Sequence, residues 1–137
     1  MTKIYTAPFA QTVNNGTAVC TTAGAITTDA PTNTLLLYTA GAEGSLVTNI
    51  TALPRATVTA TALYLFSSVD SGTTMRLIDS VLMSAYTFAL TTATPTTTFA
   101  VASEDYPLRL KANERLYVSA GVSLASGIVV EARGIDY

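Results

Sequence analysis

The side chains that do most protein chemistry are scarce in this chain of 137 residues, which has no histidine, one cysteine and no tryptophan. Without an imidazole, neither a Ser-His-Asp nor a Cys-His nucleophile can be assembled, and histidine metal sites are excluded. Cys20 alone can form neither an intrachain disulfide nor a cysteine zinc site, and it is expected to be a small buried hydrophobe. Carboxylates remain. Glu104 and Asp105 could contribute to a hydrolytic acid pair or a calcium site. Adjacent acids on a strand point to opposite faces, however, and no acidic stretch has the spacing of a calcium loop, so a solvated loop is expected. Glu114 lies in "LRLKANERLYVSAG" beside Arg109, Lys111 and Arg115, with no histidine and no second acid nearby to complete a general-base arrangement. That stretch reads as strand, polar turn and strand, with Asn113 tolerant of positive φ at the turn. Arg109 and Lys111 fall on the face opposite Leu108 and Leu110, where they form at most a docking edge for an acidic partner. No cofactor is expected.

The elements that must position these residues are strands. Residues 34–39 form a short apolar run between Pro31 and Gly41, which predicts a strand buried on both faces, and residues 45–53 lean the same way. Over 55–66, Val58, Ala60, Ala62, Tyr64 and Phe66 alternate with Thr57, Thr59, Thr61, Leu63 and Leu65, which predicts one long strand. Asp70-Ser71-Gly72 is a turn, and 73–83 returns as a strand in preference to a helix because its flanks are rich in threonine and β-branched residues. Further strands are expected at 86–90, 98–101, 115–120 and 128–132, with the threonine-rich 91–98 as a loop that Pro95 keeps from regular pairing. Short strands separated by turn signals, without intervening helices, predict an all-β antiparallel sandwich over 31–137. Residues 1–30 are small and uncharged after Lys3 until Asp29. They read either as an extended arm over a neighbouring subunit, carried by Ile4, Tyr5 and Phe9, or as an edge hairpin turned at Asn14-Asn15-Gly16. The seven tyrosines are scattered and suit packing; Tyr137, beside Asp136, is expected to be exposed and available to an interface.

Composition narrows the function classes. Hydrophobic residues make up 49% and charged residues only 12%, with a net charge of -2. Nucleic-acid binding relies on clustered cations that neutralise phosphates, and it is not expected here. No secretory leader and no apolar run of transmembrane length is visible, so a soluble protein made in a cytosol is expected, with no membrane partner. On that expectation the glycosylation patterns at Asn15 and Asn49 carry little weight.

Two resemblances bear on function. Val69-Asp70-Ser71-Gly72-Thr73 resembles the Asp-Ser/Thr-Gly signature of aspartic proteases, which in retrovirus-type members implies a dimer with two Asp70 carboxylates sharing a proton. The family's apolar pair and glycine near the C-terminus are poorly matched by "VVEARG", and Asp-Ser-Gly is also an ordinary hairpin turn. From "TALYLFSSVDSGTTMRLIDSVLMSAYT" through "YPLRLKANERLYVSAGVSLASGIVVEARGIDY", the chain resembles small proteins encoded among the structural genes of tailed bacteriophages. In size and all-β plan it looks like the capsid decoration, or cement, proteins. That resemblance implies a jelly-roll-like sandwich without catalysis. It further implies a homo-oligomer, dimer or trimer, that binds the major capsid protein and stabilises the head shell of the virion after synthesis in the bacterial cytoplasm. A tail- or fibre-associated receptor-binding module is the neighbouring expectation.

Overall fold

A computed structural model describes residues 12–137, which form nine strands and no helix. In chain order the strands are β1 (Thr12–Cys20), β2 (Leu35–Thr39), β3 (Ser45–Pro54), β4 (Thr61–Ser68), β5 (Arg76–Met83), β6 (Thr97–Thr98), β7 (Leu108–Leu110), β8 (Arg115–Ala120) and β9 (Ile128–Asp136). They build two antiparallel sheets that face each other. One has the order β1-β9-β3, with β6 and β7 as two short pieces end to end along the far edge of β3; the other has the order β2-β8-β4-β5.

Side-chain size explains how the sheets meet. Along β9, Ile128, Val130, Ala132 and Gly134 alternate inward and lie beside Ala18 and Cys20 of β1 and Ile50 and Ala52 of β3. Facing them are Leu63 and Leu65 of β4, Leu116, Val118 and Ala120 of β8, and Leu37 and Tyr38 of β2. Each Leu or Ile taken fully out of water in this layer contributes about 1.5–3 kcal/mol. Where the inward residues shrink, the sheets close. At Gly16 the backbones of β1 and β2 come so near that a Cβ there would overlap the Leu37 carbonyl oxygen, and the Asn14 amide donates to the Thr39 carbonyl at 2.9 Å. On the opposite side the Asp79 carboxylate of β5 accepts from the Val101 amide at 3.1 Å.

A second, smaller packing layer lies outside this core. The register shift between Leu65 and Phe66 lets consecutive residues both be buried, with Phe66 paired to Tyr117. Residues 21–34 cross this outer face: Gly24 sits against Ser119, and its amide donates to the Ala120 carbonyl. The Met75 amide donates to the Asp29 carbonyl at 2.8 Å, which ties the 69–75 turn to the same crossing segment.

Several sequence expectations change. The strand expected over 55–66 begins only at Thr61, and Val58 instead makes an isolated bridge to Tyr86, which is also all that forms of the strand expected at 86–90. Residues 34–39 are not buried on both faces; β2 leaves Leu35 and Leu36 exposed. Asn14-Asn15-Gly16 turns no hairpin but runs through the middle of β1, opposite Gly134, Arg133 and Ala132. The last strand continues four residues past Ala132, to Asp136.

Candidate functional site

Of the residues singled out from sequence, Arg109, Lys111 and Tyr137 gather at one end of the sandwich. Arg109 lies exposed on β7, across from Leu46, and Lys111 is exposed in the turn that follows. Tyr137 is tied to this end by its amide, which donates to the Gly44 carbonyl, and its side chain is partly exposed. Thr12 at the start of β1 pairs with Asp136 at the same end. Ile4, Tyr5 and Phe9 lie outside the described residues.

Glu114 holds this end together. One carboxylate oxygen accepts the Lys111 amide at 3.0 Å and the other accepts the Ser67 hydroxyl, so the carboxylate closes the turn on itself and fixes it to β4. Asn113 takes the left-handed conformation, at φ 60°, and its amide donates to the Gly41 carbonyl. These contacts make a rigid corner with two outward cations.

Sequence reasoning missed a polar knot immediately beside it. A single oxygen of Asp136 accepts the Asn14 amide at 3.0 Å, the Gly41 backbone amide at 3.3 Å and the Ser45 hydroxyl. The partners come from the two ends of the chain and its middle, and no local spacing signals the arrangement. Tyr38 leans over Gly134, and its hydroxyl is buried there with no hydrogen-bond partner among the described residues. Burial raises its pKa; the neighbouring Ser45 hydroxyl and Asn14 amide pull the other way, and the nearby Asp136 charge adds to the rise. Ser45 is only 1% exposed while Asp136 is partly exposed, and together with Asn14 they pin β1, β3 and β9 to one another.

Asp70 is likewise committed to local structure. Its carboxylate accepts the Thr74 amide at 2.9 Å and the Ser68 hydroxyl at 2.8 Å, around a turn in which Ser71 and Gly72 have φ 61° and 93°. The Thr74 amide and then the Ser68 hydroxyl hold its pKa below the ordinary value. Cys20 is buried, and burial pushes its thiol up to about 11, far from the thiolate a nucleophile requires. Among the described residues no three acids or cysteines converge as a metal site would require.

At the other end an open cleft of about 340 Å³ lies between Pro54, the end of β5 and the residues that follow it (81–86), and residues 95–98. Its walls carry no charged side chain. Comparison of the chain with protein families, with curated proteins and with solved structures finds no match.

Proposed function

We propose that the protein is a non-enzymatic virion structural protein, a decoration protein that binds the major capsid protein of a tailed phage and stabilises its head shell. The observation that carries this reading is the strand order. With β6 and β7 taken as one interrupted strand, eight strands divide into β1-β9-β3-β6/β7 and β2-β8-β4-β5. That is the order two Greek keys give when they close as a jelly roll, an architecture of viral capsid and lectin domains and of cupins. The low charge supports a protein that works by extended contact with other protein, and the binding corner is the one that presents Arg109, Lys111 and Tyr137. Neither nucleic acid nor membrane is a partner in this reading.

The test is direct. Purified protein should co-sediment with empty heads of the parent phage and raise their melting temperature. Arg109→Glu combined with Lys111→Glu should weaken that binding severalfold. Heads that bind none of the protein at saturating concentration would refute the proposal. The uncharged cleft at Pro54 and Tyr86 favours a second reading, a tail- or fibre-associated receptor-binding module. Binding of the pure protein to host cells, in the absence of binding to heads, would select it.

A further inference from the structure

The outward face of the β1-β9-β3 sheet has a pattern of its own. Four rows of side chains cross it, set by register. Val13, Ile135 and Leu46 form an apolar row at one end, which the exposed Arg109 of β7 continues at the sheet edge, and Val19, Val129 and Leu53 form another at the opposite end. Between them run a row with Asn15, Arg133 and Asn49 and a row with Thr17, Glu131, Thr51 and Thr98. Val13 is 72% exposed and Leu53 39%. Arg133 and Glu131 pair with each other at 2.7 Å while their side chains stay 64% and 36% exposed.

We propose that this face is the contact between two copies of the chain, packed face to face about a two-fold axis that crosses the strands above Ala132. Of the two in-plane axes available to such a pair, only this one makes the rows complementary. An axis along the strands would set Arg133 over Arg133 and Glu131 over Glu131. The axis across the strands reverses one copy end for end, so that Arg133 of each copy meets the partner's Glu131, and each apolar row lies on the other kind. Two aligned sheet faces packed in this way are an ordinary sandwich geometry, and a contact built from one patch on both partners is the rule for two-fold dimers.

The area suffices. With β6 and β7 counted as a fourth strand beside β3, strands about 4.8 Å apart and about nine residues long give a face of about 30 by 19 Å, so a pair covers about 1,100 Å² before side-chain relief is added; β1, β9 and β3 alone give about 860 Å². A specific interface needs about 1,000 Å². The inference stands apart from the virion reading, because it concerns the purified protein alone.

Sedimentation velocity of charge-reversal variants tests it. The wild-type protein should sediment as a dimer. Glu131→Arg and Arg133→Glu each place like charges across the axis, and each should weaken association by at least about a hundredfold, since like-charge juxtaposition at an interface is strongly unfavourable. Mixing the two single variants restores opposite charges at both contacts, so dimers should return in the mixture. The double swap E131R/R133E should also dimerise, which keeps the test valid if a single variant fails to fold. A wild-type monomer or trimer would overturn the proposal. So would folded single variants that associate as well as the wild type, or a mixture and double swap that both remain monomeric.

Discussion

Gly16→Ala is the sharpest test of how the sandwich closes. A methyl group at Gly16 would overlap the Leu37 carbonyl oxygen and stand 3.0 Å from its carbon, both backbone atoms that no rotamer change can move aside. Strands β1 and β2 would have to part by more than about 1 Å to reach ordinary contact distances of about 3.5 Å. Overpacking of this kind costs about 1–3 kcal/mol. The same movement breaks the 2.9 Å bond from Asn14 to Thr39, worth about 1 kcal/mol. Alanine recovers about 0.5–1 kcal/mol by restricting the unfolded chain, which leaves a net loss of about 1–3.5 kcal/mol. For a domain of this length that lowers Tm by on the order of 10 °C. Urea unfolding followed by far-UV circular dichroism gives the free energy. Gly121→Ala is the internal control: its Cβ would meet nothing nearer than 3.5 Å, so only the unfolded-chain gain of about 0.5–1 kcal/mol is expected there. Equal effects at the two glycines, or no effect at Gly16, would refute the close-approach argument.

Two further predictions concern single polar groups. Tyr38→Phe removes a buried hydroxyl that has no partner and should raise stability by about 1 kcal/mol in the same urea assay; a loss of that size would show that the hydroxyl is bonded. Because the Tyr38 pKa is raised in the fold, its contribution is present below the ordinary value of 10.0 and is lost as pH rises through the folded value, so the variant should lose less stability in strong alkali. Asp70 has a lowered pKa, and the sign is opposite: its contribution is present above the ordinary value of 3.8 and lost as pH falls through the folded value. Asp70→Asn should therefore flatten the acid limb of Tm against pH. An unchanged acid limb would show that the Thr74 and Ser68 bonds do not favour the carboxylate.

What could be read from the sequence was local. The corner at 111–114 forms as expected, down to the left-handed Asn113, because a turn residue between two apolar runs specifies its own geometry. The turn at Asp70-Ser71-Gly72 and the strand Arg115–Ala120 were legible for the same reason. Residues 55–66 misled because alternation continues through a stretch where Val58 finds only Tyr86 as a partner, so tertiary pairing, not pattern, sets the start of β4 at Thr61. β1 was illegible for a related reason. Its Asn14-Asn15-Gly16 has the composition of a turn, yet Gly16 serves the close passage of two sheets, and the partners of Asn14 lie at Thr39 and Asp136. The Asp136 knot depends on residues as many as 122 positions apart, which no window of sequence can bring together.

The interrupted strand β6/β7 has a consequence for how the protein stays dispersed. With a net charge of -2, the chain has little electrostatic repulsion to keep its copies from adding to one another edge on edge. Strand edges of two and three residues, separated by 99–107, offer too short a ladder to template another chain. At the edge of the other sheet, the register shift opposite Leu65 and Phe66 and the inward Asp79 carboxylate spoil the same kind of growth. Growth through these two edges is thus opposed by backbone breaks, and replacing them with a continuous strand should leave the protein prone to polymerise through its edges.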